Sequence, residues 1–153
     1  MTLRTNYFEI APDAINILMS QESYLAKQFE VSDTVNTMVW ELVKLRVSQI
    51  NQCAFCIDMH SSDLLEKGEK TQRIIGVSAW RDMPFYSEPE RVALDWAEHL
   101  TRGKPIDDLY YQAVVQSLGE KGVVDLTIAI NAINSWNRIA KTFKPEVGSY
   151  KPR

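Results

Sequence analysis

The stretch TVNTMVWELVKLRVSQINQCAFCIDMH, residues 34–60, decides how the chain is read. Val35, Met38, Val39, Leu42, Val43, Val47 and Ile50 recur at three- and four-residue spacing and make the core side of one long helix. Ser32 is its expected N-cap, and it runs to about Asn51. After a short break near Gln52, a second helix begins close to Cys53 and runs to Lys67, where Gly68 is placed to end it.

The same periodicity extends outward. Towards the N-terminus it marks helices at about 11–19 and 22–30. Towards the C-terminus, residues 70–80 give a short helix with Ile74, Ile75 and Val77, and Met83-Pro84 breaks the chain. Ser87 with Glu90 forms a capping-box pattern opening a helix that carries Val92, Ala93, Trp96, Ala97 and Leu100 on one face until Gly103. Residues 105–119 form a further amphipathic helix ended by Gly119. The last helix, about 121–142, is apolar on nearly every side, which marks a central element or one buried in a subunit contact. The polar tail from Lys144 belongs on the surface. With no hairpin turn and no alternating β-branched run, the expectation is an all-α fold of about six to seven helices, one domain spanning 1–153.

Seventeen basic against twenty acidic residues leave a net charge of −3, with no positive excess to condense on phosphates. Nucleic acid is therefore not an expected partner. The N-terminal residues contain no continuous apolar stretch followed by a small-residue cleavage site, and no window reaches membrane-spanning length. A cytoplasmic protein with no membrane partner is expected. In a reducing compartment a close pair of cysteines is better suited to catalysis, redox exchange or metal binding than to a permanent bridge.

Cys53 and Cys56 are the whole cysteine content, and His60 is one of two histidines. At i, i+3 and i+7 they share one helix face. Cys53 lies at the helix N-terminus, where unpaired N–H groups and the helix dipole favour a thiolate. In the preceding helix Glu41 is a single carboxylate in a largely apolar stretch. If the chain reverses near 51–52, Glu41 and His60 lie at similar heights, on the order of 12 to 15 Å from the turn at 1.5 Å per residue. A carboxylate on one imidazole nitrogen would fix the tautomer and raise the basicity of the other, giving a relay Glu41, His60, Cys56 that ends on a nucleophilic sulfur.

Glu41, eleven residues, Cys53, two residues, Cys56, three residues, His60: this pattern resembles the signature of the AhpD-like alkylhydroperoxidases of the carboxymuconolactone decarboxylase superfamily. The segments at 42–60, 78–101 and 126–140 resemble characteristic segments of these proteins in the expected order. The resemblance implies an all-helical subunit in a homo-oligomer, trimer or hexamer, and a peroxidase with antioxidant function that reduces a small hydroperoxide at the expense of a thiol or dithiol reductant. By position it implies that Cys56 attacks the peroxide, Cys53 resolves to a redox-active disulfide, and Glu41 and His60 form the proton relay. Better-known members carry a histidine between the cysteines where this chain has Phe55, so that residue's role is absent or supplied elsewhere.

Other readings compete. The cysteines at helical spacing can be buried small hydrophobes, or, with His60 and Glu41, zinc ligands, although structural zinc sites usually draw two ligands from each of two segments. Glu41 can lie on a polar stripe with Thr37, Lys44 and Ser48. A decarboxylase or lactone-acting enzyme of the same superfamily, or a non-catalytic redox-sensing module, are the functional alternatives. His99 reads as a structural cation in the last turn of its helix. Asn131, Asn134, Asn137 and Arg138 read as inter-helix or inter-subunit hydrogen bonders. Trp40, Trp80, Trp96 and Trp136 read as core, some of them able to line an apolar peroxide pocket. No metal, flavin or nicotinamide motif is present, so the cysteine pair is the expected redox group, without a cofactor.

Overall fold

The computed structural model describes residues 3–152. They form α1 (Tyr7–Ile10), α2 (Pro12–Glu30), α3 (Thr37–Ile50), α4 (Ala54–Glu66), α5 (Thr71–Gly76), a 3-10 segment Val77–Asp82, α6 (Glu88–Thr101) and α7 (Asp108–Phe143). No strand occurs among the described residues, and no helix among them is long and apolar enough to cross a membrane. The all-α expectation holds. α7 is interrupted at Gly119, whose φ of 72° and ψ of 156° fit no helix, so the two helices expected on either side of that glycine are both present.

α1 lies where no helix was expected, the helix expected over 70–80 gives way to the 3-10 segment after Gly76, and two further boundaries differ for a local reason. The helices expected at 11–19 and 22–30 are one helix, α2: Ser20 Oγ donates to the Asn16 carbonyl (2.8 Å) and Ser23 Oγ to the Met19 carbonyl (3.0 Å). Hydroxyls satisfied four residues back do not compete with the helix and leave it unbroken. The helix expected from Ser32 begins instead after Asn36, whose side chain accepts from the Val39 N–H at 3.1 Å. Ser32 does cap, but it caps the preceding turn, accepting from the Val35 N–H at 3.1 Å. The Ser87–Glu90 capping box of α6 is formed as read.

α3 is the centre of the packing. It touches α2, α4, α6 and α7, and buries Val39, Trp40, Leu42, Val43, Leu45 and Val47. Each such side chain, fully withdrawn from water, stabilises by about 1.5–3 kcal/mol. α7 lies beside it, with Leu126, Ala129, Ile130, Ala132 and Ile133 buried. That helix is the central element its composition pointed to, and α2, α3 and α6 of the same chain supply its cover. Glu98 of α6 ties the layers, accepting from Arg46 Nε of α3 (2.7 Å) and Trp80 Nε1 of the 3-10 segment (3.0 Å).

Candidate functional site

The site grows from the turn between α3 and α4. Two bonds close the end of α3, from the Cys53 N–H to the Ser48 carbonyl (3.0 Å) and from the Gln52 N–H to the Gln49 carbonyl (3.1 Å). This pair defines a Schellman motif, which requires a left-handed residue between. α4 and α6 end with the same bond pair around Gly68 and Gly103, at φ 84° and 63°. In front of the cysteines the left-handed residue is Gln52, at φ 54°. A side chain there costs on the order of 1 kcal/mol, so the turn must be held by something else.

α7 holds it. Asn51 Nδ2 donates to Asn134 Oδ1 and to Asn137 Oδ1, both at 2.9 Å, and Asn137 Nδ2 donates to Ser48 Oγ at 3.0 Å. Lys141 Nζ donates to the Asn51 carbonyl at 2.6 Å. Asn134 and Asn137 are thus inter-helix hydrogen bonders within the chain, whereas Asn131 is exposed.

Beyond the turn, Cys53 is the N-cap residue of α4 and Cys56 lies in its first turn. The two are joined by a disulfide, and both are buried under Ala140 and Phe55. No side chain caps α4, so its first-turn N–H groups and dipole act on the sulfurs directly, favouring whichever becomes a thiolate when the bond opens.

One turn after Cys56, His60 points its Nδ1 at Glu41 Oε2 of α3, 3.4 Å away. Both side chains are buried, as the hairpin geometry of α3 and α4 required. The distance is at the long limit of a hydrogen bond. His60 Nδ1 and Nε2 and Glu41 Oε2 make no closer polar contact among the described residues. Opposite an anionic oxygen Nδ1 carries the proton, which leaves Nε2 as the basic nitrogen. Burial would raise the Glu41 carboxyl, but the His60 contact and the Lys44 ammonium outweigh it and bring its pKa from 4.5 down to about 2. Burial dominates for His60 and lowers its pKa, so the folded chain favours the neutral imidazole more than a free histidine does.

The polar-stripe reading of Glu41 fails: Lys44 and Ser48 are buried beside it. Lys44 Nζ donates to Glu41 Oε1 at 2.9 Å and stands 3.8 Å above the Trp40 ring. Asp63 Oδ2 lies 4.0 Å from His60 Nδ1, and Lys67 Nζ 4.0 Å from Glu41 Oε1. Glu41, His60 and Asp63 present donor atoms within 4.8 Å of one another, but the two ammoniums on Glu41 make the cluster a poor host for a dication. Sequence reasoning passed over Asp63 and placed Lys44 only on a polar stripe. The signal available for Lys44 was its position three residues after Glu41 in an apolar stretch, the spacing of a helical ion pair.

A cleft of about 520 Å³ opens at the N-terminus of α4, with Gln52, Cys53 and Phe55 on one wall and Ala140, Lys144 and Val147 on the other. The tail from Lys144 forms part of this wall rather than only covering surface, because the Gly148 N–H donates to Asp58 Oδ2 (3.0 Å) and Tyr150 Oη to Asp63 Oδ1 (2.6 Å). None of the four tryptophans lines this cleft. Trp40, Trp80 and Trp96 are core, and Trp136, half-buried, donates to Glu22 Oε1 at 3.1 Å. His99 bonds the Pro105 carbonyl at 2.6 Å, a structural position as read.

The segment that holds Glu41, Cys53, Cys56 and His60, residues 24–99, matches the model of the carboxymuconolactone decarboxylase family. A Bacillus subtilis (strain 168) protein, the uncharacterized YdfG, is 46% identical over 142 residues, covering 92% of this chain and 93% of that one. The chain belongs to the carboxymuconolactone decarboxylase family. Among solved structures, a protein of unknown function from Agrobacterium tumefaciens, provisionally assigned as the antioxidant defence protein AhpD, superposes with a TM-score of 0.85 at 34% identity, over 97% of this chain and 100% of that one. A peroxidase-related protein from Ralstonia eutropha JMP134, described as an alkylhydroperoxidase AhpD core, matches with a TM-score of 0.77 over 91% of this chain and 74% of that one. At 17% identity that second likeness establishes the fold alone. The chain is thus an AhpD-like member of the family.

Proposed function

We propose that the chain is a thiol-dependent hydroperoxidase, reducing a small organic hydroperoxide to the alcohol and taking its electrons from a thiol or dithiol donor. The observation that carries this reading is the Cys53–Cys56 disulfide at the uncapped start of α4, one turn from a buried His60 that meets Glu41. In the reduced chain, His60 Nε2 takes the Cys56 proton, and the thiolate attacks the peroxide. A sulfur–oxygen bond forms, the oxygen–oxygen bond breaks, and the alkoxide leaves with the proton returned by His60. Cys53 then attacks the Cys56 sulfenic acid, releasing water and forming the disulfide before overoxidation can occur. Two thiols of the donor reopen it and leave as a disulfide. Glu41 orients the imidazole throughout. Phe55, which packs on the sulfur pair, supplies no acid or base, so all proton traffic in this scheme passes through His60.

The test is a thiol count. Reduced protein receives one equivalent of cumene hydroperoxide, is denatured and alkylated, and is weighed intact. Loss of both alkylation sites without an added oxygen is the expected result. Two thiols still free would overturn the reading in favour of a family member that uses acid–base groups alone.

A further inference from the structure

Lys44 has no part in the relay described above, yet it is the most deeply placed cation in the site. Its side chain is buried, its Nζ donates to Glu41 Oε1 at 2.9 Å, and the Trp40 face lies 3.8 Å beneath it. Burying an ammonium costs several kcal/mol unless its partners repay it. A neutral side chain of the same length would fill the space between Trp40 and Glu41 without that cost, so packing does not account for a lysine here.

What the charge does follows from where it is. With Lys44 on Oε1, only Oε2 of Glu41 is left for His60 Nδ1, and the carboxylate plane is fixed by two partners rather than one. The groups facing His60 are Glu41 and Lys44 from α3, Asp63 from its own helix, and Lys67 just beyond that helix, 4.0 Å from Glu41. Glu22 of α2 lies within electrostatic reach of Lys44 and Glu41, and its carboxylate is engaged by Trp136. Glu41 and Asp63 favour an imidazolium. Lys44 opposes it, together with burial.

We propose that Lys44 is the positioning residue of the relay: its ammonium holds Glu41 as an oriented anion and, by like-charge repulsion, keeps His60 in the neutral form that can accept the Cys56 proton. The inference rests on the relay reading of Glu41 and His60. Without Lys44, Glu41 and Asp63 would pull a proton onto the imidazole, and His60 would stop acting as a base over the lower part of the working pH range.

The chain has two histidines, so the ring Cε1–H signals of His60 and His99 can be followed by NMR against pH in the oxidised protein and assigned with a His60→Gln variant. In the wild type, His60 titrates below the ordinary midpoint of about 6.5. Lys44→Gln, which keeps a hydrogen-bond donor but no charge, and Lys44→Met, which keeps neither, each raise that midpoint by about one pH unit. Lys44→Arg keeps the wild-type midpoint. The acid limb of peroxide consumption moves by the same amount, about tenfold in rate at its foot. A His60 midpoint unmoved in Lys44→Gln or Lys44→Met protein with native helical content, or one that moves as far in Lys44→Arg, would overturn the proposal. The titration needs no turnover, so it decides the role of Lys44 even in a chain that fails to consume peroxide, and that failure would count against the hydroperoxidase reading alone.

Discussion

Acid should remove the stability of this protein in two steps, and Glu41→Gln should shrink the lower one. Glu41 titrates near 2 in the folded chain against 4.5 ordinarily, and this depression of about 2.5 in pKa, at about 1.4 kcal/mol each, corresponds to between about 3 and 4 kcal/mol. A carboxyl lowered on folding contributes stability that is fully present above its unfolded value and lost as pH falls through the folded one, so the window is 4.5 down to about 2. His60 also titrates lower in the folded chain than its ordinary 6.5. Unfolding therefore takes up a proton there too, and stability begins to fall once pH drops below about 6.5. The assay is urea unfolding followed by circular dichroism at pH 8, 6, 4.5 and 3. Glu90 and Glu98 are also lowered and will steepen the wild-type curve, so the informative quantity is the difference between wild type and variant. Glu41→Gln should be less stable than the wild type at pH 8, and the gap should narrow by more than half by pH 3, closing fully only below the folded value of about 2. A gap that stays constant from pH 8 to 3 would refute the reasoning, because the carboxylate would then be contributing shape and not charge.

Cys53→Ser protein treated with a hydroperoxide should retain one added oxygen on Cys56, seen by intact mass, while Cys56→Ser should take up none; oxygen on Cys53 instead would reverse the two roles. Asn137→Ala should cost about 1–3 kcal/mol in urea unfolding, because it removes one acceptor of the half-buried Asn51 amide and the donor to the buried Ser48 hydroxyl, and a loss under about 0.5 kcal/mol would show that the turn is held by other contacts. Gln52→Gly should stabilise the chain by about 0.5–1 kcal/mol, as relief of the left-handed strain outweighs the entropy of a freer unfolded chain, and a lower melting temperature would contradict this.

What could be read beforehand followed from periodicity and short-range chemistry. The α3–α4 hairpin, the Ser87–Glu90 box and the terminating glycines depend on residues within a turn of one another, and one sequence suffices for them. The meeting of Glu41 with His60 was legible because a short turn fixes both heights along the helix pair. The partners of the hairpin were not, since Asn51 finds Asn134 and Asn137 through the packing of the whole fold. Lys44 escaped for a different reason: a lysine on a helix is ordinarily solvated, and only the joint burial of Trp40 and Glu41 turns this one inward. The two short helices expected at 11–19 and 22–30 are one because the Ser20 hydroxyl between them is satisfied by the Asn16 carbonyl, a contact that periodicity does not report.

The bonds that α7 makes to the cysteine turn also set a schedule for synthesis. Asn51 and Ser48 find their α7 partners 83 to 90 residues further along the chain. While α7 is still within the ribosome, the emerging chain already contains both cysteines, His60 and Glu41, but Gln52 has only the two local bonds at the end of α3 and none of the α7 contacts to hold its left-handed conformation. The sulfur pair is then two ordinary thiols on an unanchored loop, open to mixed disulfides with any passing oxidant. Its reactivity is disciplined only when the final helix docks, so a ribosome that stalls before α7 releases a nascent chain that carries the reagent without its control.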